Sequence, residues 1–197
     1  MNSLDPTFSI ITPTQGRVTL TRMLESLEPA GAGPHDELVV VIDGDYPEAL
    51  EILKSVVLPC SLMCQLSFRS ARDLGASPRN HGMEIATKDY ITYMDDDNIF
   101  VPGAFDILRD RCPTTKRRSQ LFRVKHWSVG VVWQTKGLLQ FGQVDGHGYV
   151  LPNDGNWSLW RGGPAGDFNH ISETIQMRGQ PTWREEVIVE LRPGFEG

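Results

Sequence analysis

Three consecutive carboxylates, Asp95, Asp96 and Asp97, follow the apolar, β-branched run YITYM at residues 90–94. At neutral pH they repel one another, so a fold keeps such a run where something offsets the charge. Successive side chains on a strand point to opposite faces, which puts Asp95 and Asp97 on one side and Asp96 on the other. At the carboxyl end of a central strand, that pair makes a two-carboxylate claw for a hard divalent cation, Mg2+ or Mn2+, bridging a diphosphate. The competing reading is a solvated acidic turn in which Asp97 or Asn98 caps a helix starting at VPGAFDIL.

The elements that must position this run alternate. FSIIT (8–12) reads as a strand stopped by Pro13, and Leu20, Met23, Leu24 and Leu27 then recur at helical spacing. LVVVI (38–42), a continuous apolar run ended by Asp43 and Gly44, has the pattern of a parallel strand covered on both faces. A helix over YPEALEILKSVV, a strand over CQLSF, a loop entering a helix over SPRNHGMEIAT and the YITYM strand complete a βαβαβαβ order. Such an order implies a mostly parallel sheet flanked by helices, with ligands at the carboxyl ends of its strands. Beyond residue 112 the pattern is mixed. VGVVWQ and LLQFGQV read as strands of a hairpin around TKG, with HGYVLP beside them, a helix over DFNHISETIQMRG and a last strand over EEVIVELR. The expected fold class is α/β. One domain spans 1–197, with a nucleotide-binding half over 1–112 and a smaller mixed or antiparallel, acceptor-facing half over 113–197.

Composition narrows the function. A chain of 197 residues with 40% hydrophobic content has material for one core. It has no run of eighteen apolar residues and no basic-then-apolar leader, so the expectation is a soluble, cytoplasmic protein without a membrane span. Cys60, Cys64 and Cys112 form no CxxC pair, which argues against a disulfide framework and a structural zinc site. A formal net charge of −6 exerts no global pull on nucleic acid. The local exception is KRRSQLFRVKH, with Lys116, Arg117, Arg118, Arg123 and Lys125 and with Phe122 and Trp127 interleaved or adjacent. It reads first as a mobile loop closing over a bound diphosphate, and second as a surface that tracks phosphates and stacks on bases of a nucleic-acid acceptor.

Four motifs in order resemble the family 2 glycosyltransferases of the GT-A fold. FSIITPTQGR resembles the family's opening strand and nucleotide loop, VVVIDGD its second strand with an acidic end, and GASPRNHGMEIATKDYITYMDDDN its Arg-Asn-x-Gly helix leading into the metal-binding strand. GPAGDF resembles the loop that supplies the catalytic base, although this chain has Gly166 and Asp167 where the family more often has an acidic pair. The resemblance implies a single GT-A domain that transfers a sugar, with inversion, from a nucleotide-sugar donor to an acceptor hydroxyl with the help of Mn2+ or Mg2+. A uridine diphosphate sugar is the donor expected.

Residue by residue, the resemblance puts Thr12, Pro13, Thr14 and Arg17 against the nucleotide. Asp43 accepts hydrogen bonds from the base, which suits a uracil N–H, and Arg79, in the loop before the helix, approaches the phosphates. Asp97 coordinates the metal, Asp95 belongs to the ribose and metal surroundings, and Asp96, counted among the cofactor-binding residues, is the bystander. Many relatives add a late His to the metal. VIVELRPG has none, which leaves water and the diphosphate, or His147 from another direction, to complete the shell. Asp167 is the candidate general base, taking the acceptor proton as its oxygen attacks the anomeric carbon.

Plainer roles compete with each of these. Thr12 to Thr14 also suit a turn leading into a helix, Asp43 an Asx-turn with Gly44, Arg79 a surface salt bridge, His147 a satisfied structural position and Asp167 an N-cap. Of Trp157 and Trp160, one is expected at the acceptor and one in packing, and Arg161 reaches a diphosphate or lies on the surface. Two other functions remain open: nucleotidyl transfer, which the lack of a Gly-rich, Lys-containing phosphate loop near residue 12 disfavours, and a non-catalytic nucleotide-sugar-binding module. The acceptor class, whether saccharide, small molecule or nucleic acid, is not encoded in a recognisable motif.

Overall fold

The computed structural model describes residues 5–67, 72–133 and 135–194. The α/β alternation holds: β1 (Phe8–Thr14), α1 (Thr19–Glu25), α2 (Leu27–Ala30), β2 (Glu37–Asp43), α3 (Pro47–Ser55), β3 (Ser61–Ser67), α4 (Ala76–Ile85) and β4 (Tyr90–Tyr93) follow in turn. The mixed half then contributes β5 (Ile99–Phe100), α5 (Ala104–Arg111), β6 (Gln120–His126), β7 (Gly130–Val132), a 3-10 turn (Gly146–Gly148), β8 (Tyr149–Pro152), α6 (Gly166–Arg178) and β9 (Thr182–Leu191). All the strands join one sheet in the order β3-β2-β1-β4-β8-β6-β9-β5, with β7 attached to β6. β3, β2, β1 and β4 run parallel, while β8 is antiparallel to both β4 and β6 and so links the two halves.

The pleat sends alternate residues of β1 and β2 to two separate cores. Ile10, Leu38 and Val40 pack under α1, α2, α3 and α5 through Leu20, Met23, Leu27, Leu53, Phe105 and Leu108. Ile11, Val39 and Val41 pack under α4 and α6 through Ala76, Met83, Ile171 and Ile175. This is a three-layer arrangement, and it leaves the carboxyl ends of β1, β2 and β4 open between the layers. Among the described residues no helix is long and apolar enough to cross a membrane.

The structure departs from the sequence reading at several places. β1 continues through Pro13 instead of stopping there. The Ile11 carbonyl accepts from Met94 N on the β4 side, so Pro13, two residues on, turns its missing N–H to an edge where pairing with β4 has ended. The first helix is broken at Ser26, whose hydroxyl donates to the Met23 carbonyl and accepts from Phe100 N. LLQFGQV is not a strand, since its Leu138 and Phe141 are exposed and have no core to face. β7 pairs instead with β6, and HGYVLP supplies β8 between β4 and β6. Phe68, at the end of the expected third strand, lies outside the described residues.

The basic stretch is not one loop, and none of its cations lines the strand-end cavity described below. It contains β6, an interior strand whose Leu121, Phe122 and Val124 are buried. Arg123 lies over the Trp133 ring at 4.7 Å, Lys125 pairs with Glu190 at 3.0 Å and Arg117 pairs with Asp89. Long cationic side chains lay their stems along the sheet and send their heads to partners, which hides a strand inside a charge run. Lys116 and Arg118 are exposed but stand apart from the strand-end cavity described below.

One contact fixes how closely α4 approaches the sheet. A Cβ on Gly82 would lie 2.5 Å from Cγ2 of Ile11, a stiff β-branched residue of β1. Gly82→Ala should therefore lose about 1–3 kcal/mol in urea unfolding through overpacking; an unchanged midpoint would show that α4 can shift without cost.

Candidate active site at the strand ends

The acidic run leaves the sheet before its first carboxylate, because β4 ends at Tyr93. Strand alternation therefore does not sort the three acids; their partners do. Asp95 pairs through Oδ1 with Arg79 and through Oδ2 with His147 Nε2 at 3.4 Å. Asp96, almost fully buried, accepts from the Thr14 hydroxyl at 2.6 Å and from Arg17 at 3.3 Å. Asp97 Oδ2 receives Arg17 Nη1 at 3.3 Å and Arg192 Nε at 3.2 Å. The expected facing pair of Asp95 and Asp97 is thus replaced by Asp96 and Asp97 sharing Arg17, with Asp95 turned to Arg79. Neither Asp97 nor Asn98 caps a helix, since β5 intervenes and α5 has Gly103 at its N-cap.

These partners set the protonation states. Burial raises the Asp95 carboxyl, but Arg79 and His147 outweigh it and hold the group well below the usual carboxylate range. Burial pushes Asp96 up, against Thr14 and Arg17, and the neighbouring acids add to the rise. His147 is buried, which disfavours its charge, yet Asp145 at 2.6 Å and Asp95 push its pKa well above the ordinary value.

A cavity of about 520 Å3 opens over this cluster at the ends of β1, β2 and β4. Pro13, Thr14, Arg17, Asp43, Arg79 and all three acids of the run line it, together with Arg192. Of the sequence-derived nucleotide contacts only Thr12 is missing. It is fully buried within β1, and its hydroxyl has no hydrogen-bond partner. Asp43 accepts from Gln15 Nε2 at 3.3 Å. Arg79 lies in α4 rather than in a loop before it, and it is buried, not in a surface pair. Its guanidinium donates to the Leu74 carbonyl at 2.9 Å, binds Asp95 and lies 4.8 Å over Trp160. Gly75, at φ +80, leaves room for this fork, because a Cβ there would come within 2.7 Å of Arg79 Nη1.

The Arg79–Asp95 pair is also a wall of a second, smaller cavity of about 200 Å3, which Asp167, His147, Trp160 and Arg161 line as well. Asp167 sits in the first turn of α6 rather than at its N-cap, which is Ala165. Burial raises its pKa to about 6, nearby Asp145 adds to this, and His147 and Arg79 oppose it. The loop before α6 is tied to α4 by Asn80, whose amide donates to the Trp160 carbonyl at 3.0 Å and accepts from Trp160 N at 2.7 Å. Trp160 is 5% exposed and stacks on His170 at 4.5 Å, so it packs while one edge meets the small cavity, and Trp157 packs against the same core. Arg161 pairs with Glu173 on the surface.

Among the described residues no group of three or more His, Cys, Asp or Glu is arranged to hold a metal ion. The oxygens that face the cavity suit a different arrangement. A hard cation that takes one or two carboxylates and completes its shell from phosphates and water fits Asp97 and its neighbours, whereas an all-protein cage does not. Sequence reasoning missed Arg192, which reaches Asp97 from just beyond β9, Asn98, whose Oδ1 accepts Arg192 N at 3.0 Å, and Asp145 behind His147. A cation directly after the last apolar run was the available signal for Arg192.

Comparison with known proteins identifies the fold and the family. No curated protein sequence matches the chain. Solved structures that resemble it include S. aureus TarS 1-349, with a TM-score of 0.74, 15% identity and coverage of 94% of this chain and 60% of that one. The same protein in complex with UDP gives a TM-score of 0.77 at 14% identity, covering 93% of this chain and 60% of that one. In complex with UDP-GlcNAc it gives 0.77 at 14% identity, covering 97% and 59%. The chain thus spans about three fifths of those fragments. At such low identity the likeness establishes the GT-A type fold. Residues 9–112, which run from β1 through α5, match the family described as glycosyl transferase family 2. That match covers more than half of the 197 residues, and the chain belongs to glycosyl transferase family 2.

Proposed function

We propose that this chain transfers a sugar from a uridine diphosphate sugar to an acceptor hydroxyl with inversion at the anomeric carbon, assisted by Mn2+ or Mg2+. One observation carries the reading: the strand-end cavity that brings Asp95–Asp97 together with Arg17, Arg79 and Arg192 shares the Arg79–Asp95 wall with the cavity holding Asp167. Solved structures of the same fold with UDP and UDP-GlcNAc support the choice of donor.

In this reading Asp43, Pro13 and Thr14 hold the nucleoside, and Arg17 and Arg79 face the diphosphate. Asp97, with Asp95 beside it, holds the divalent cation, which when bound supplies Lewis-acid stabilisation of charge on the departing diphosphate. Asp167 orients the acceptor hydroxyl and takes its proton from the opposite side of the Arg79–Asp95 pair. Asp96 keeps Thr14 and Arg17 in place. Residues 1–112 supply the donor site and 113–197 the base, with His147 and Arg192 crossing over to serve the acids. Asn80 is a positioning residue that keeps the Asp167 loop against the Arg79 helix.

A panel of nucleotide sugars should raise the melting temperature with Mn2+ present, uridine diphosphate sugars most of all; no shift with any of them contradicts the donor reading. Asp167→Asn should lower kcat by about 100-fold or more and leave donor binding within about twofold, and equal turnover would remove Asp167 from the chemistry. The ionised carboxylate is the active form, and its raised pKa means that turnover should fall as pH drops through about 6; a profile flat to pH 5 contradicts the assignment. Asn80→Ala should lower kcat with little change in the donor KM, and a loss confined to KM would place Asn80 with the donor instead.

A further inference from the structure

Arg192 has no place in the sequence-derived site, yet its backbone is held with unusual care. It adopts φ +45, a left-handed conformation that is strained for a non-glycine residue. Its N–H donates to Asn98 Oδ1 at 3.0 Å, and Asn98, buried directly after the acidic run, also meets His147 Nε2 at 3.0 Å through its other amide atom. One residue on, the Pro193 carbonyl accepts from Arg22 at 2.6 Å. Two anchors therefore fix the backbone around Arg192, while its side chain stays 53% exposed.

That side chain reaches the same oxygen, Asp97 Oδ2, that Arg17 reaches from the other side. Two guanidiniums on one oxygen make an internal counter-ion pair, and each keeps N–H donors unspent. Arg17, Asp97 and Arg192 together form the partition between the cavity of about 520 Å3 and a neighbouring one of about 410 Å3, which Thr19 and Arg22 also line. The charges match a handover. A nucleoside diphosphate sugar brings roughly two negative charges, and a planar guanidinium fork suits phosphate oxygens at least as well as it suits a carboxylate.

We propose that Arg192 is a donor-binding residue, held in reserve on Asp97, whose guanidinium passes with that of Arg17 to the donor diphosphate and so frees Asp97 for a divalent cation. The assignment rests on the nucleotide-sugar reading above and adds a residue to it. It gives Arg192 opposite effects on the two ligands. Without a metal, Arg192 helps bind the diphosphate; without a nucleotide, it competes with a cation for Asp97.

Calorimetric titration of the wild type, Arg192→Ala and Arg192→Lys separates these effects, using UDP in the presence of EDTA and Mn2+ in the absence of nucleotide. Arg192→Ala should weaken UDP binding by about tenfold and tighten Mn2+ binding severalfold, with Arg192→Lys between it and the wild type. Thermal melting checks that both variants fold. UDP affinity unchanged in Arg192→Ala, or UDP and Mn2+ affinities weakened together, overturns the inference while leaving the nucleotide-sugar reading intact. A wild type that binds UDP neither with EDTA nor with Mn2+ overturns that reading, and this inference with it.

Discussion

The buried pair of Arg79 and Asp95 is the interaction on which the site depends. A guanidinium almost out of solvent is tolerable because both terminal nitrogens and its face are engaged, by a carboxylate, the Leu74 carbonyl and the Trp160 ring, although its Nε has no hydrogen-bond partner. Those partners come from the acidic run, from the turn before α4 and from the loop before α6. Removing the arginine would strand a half-buried carboxylate beside two others; removing the carboxylate would strand the arginine. Because the pair lines both cavities, the same interaction stands between the acids of the run and Asp167.

The rest of the acidic run follows the same logic of local charge matching. Asp96 and Asp97 share Arg17, Asp97 adds Arg192, and His147 sits between Asp95 and Asp145. The repulsion evident in the sequence is therefore met first by the chain's own cations. These cations lie on elements far apart in sequence, from the loop after β1 to the end of β9, so the strand ends become a site only when the whole sheet has assembled. The antiparallel β8 makes that assembly possible, since it joins β4 of the parallel half to β6 of the mixed half.

How much of this was legible depended on the range of the interactions. The βαβαβαβ order, the buried β2 and the placing of the acids at the carboxyl end of β4 are local patterns, and they were readable from periodicity and run length, although the run leaves the strand too early for alternation to sort the three acids. The Arg79, Asp95 and Asp97 cluster was recognisable as a motif, but its partners were not. Arg17 on Asp96 and Asp97, Arg192 on Asp97 and His147 on Asp95 are contacts across about 50 to 95 residues, and no spacing rule encodes them. β6 was misread because the five cations of the stretch 116–125 mask the signal of Leu121, Phe122 and Val124, although the Arg123 guanidinium lies over the Trp133 ring. Thr12, read both as the end of the first strand and as a nucleotide contact, is fully buried within β1 and does not line the cavity.

The central claim is that the strand-end cavity receives a nucleoside diphosphate, with the acids and arginines of this chain facing its phosphates. A crystal structure of the protein grown with UDP and Mn2+ tests it most directly. The account predicts the diphosphate in contact with Arg17, Arg79 and Arg192, the cation on Asp97 and the uracil beside Asp43. Nucleotide bound outside this cavity, or within it but away from those side chains, would contradict the account.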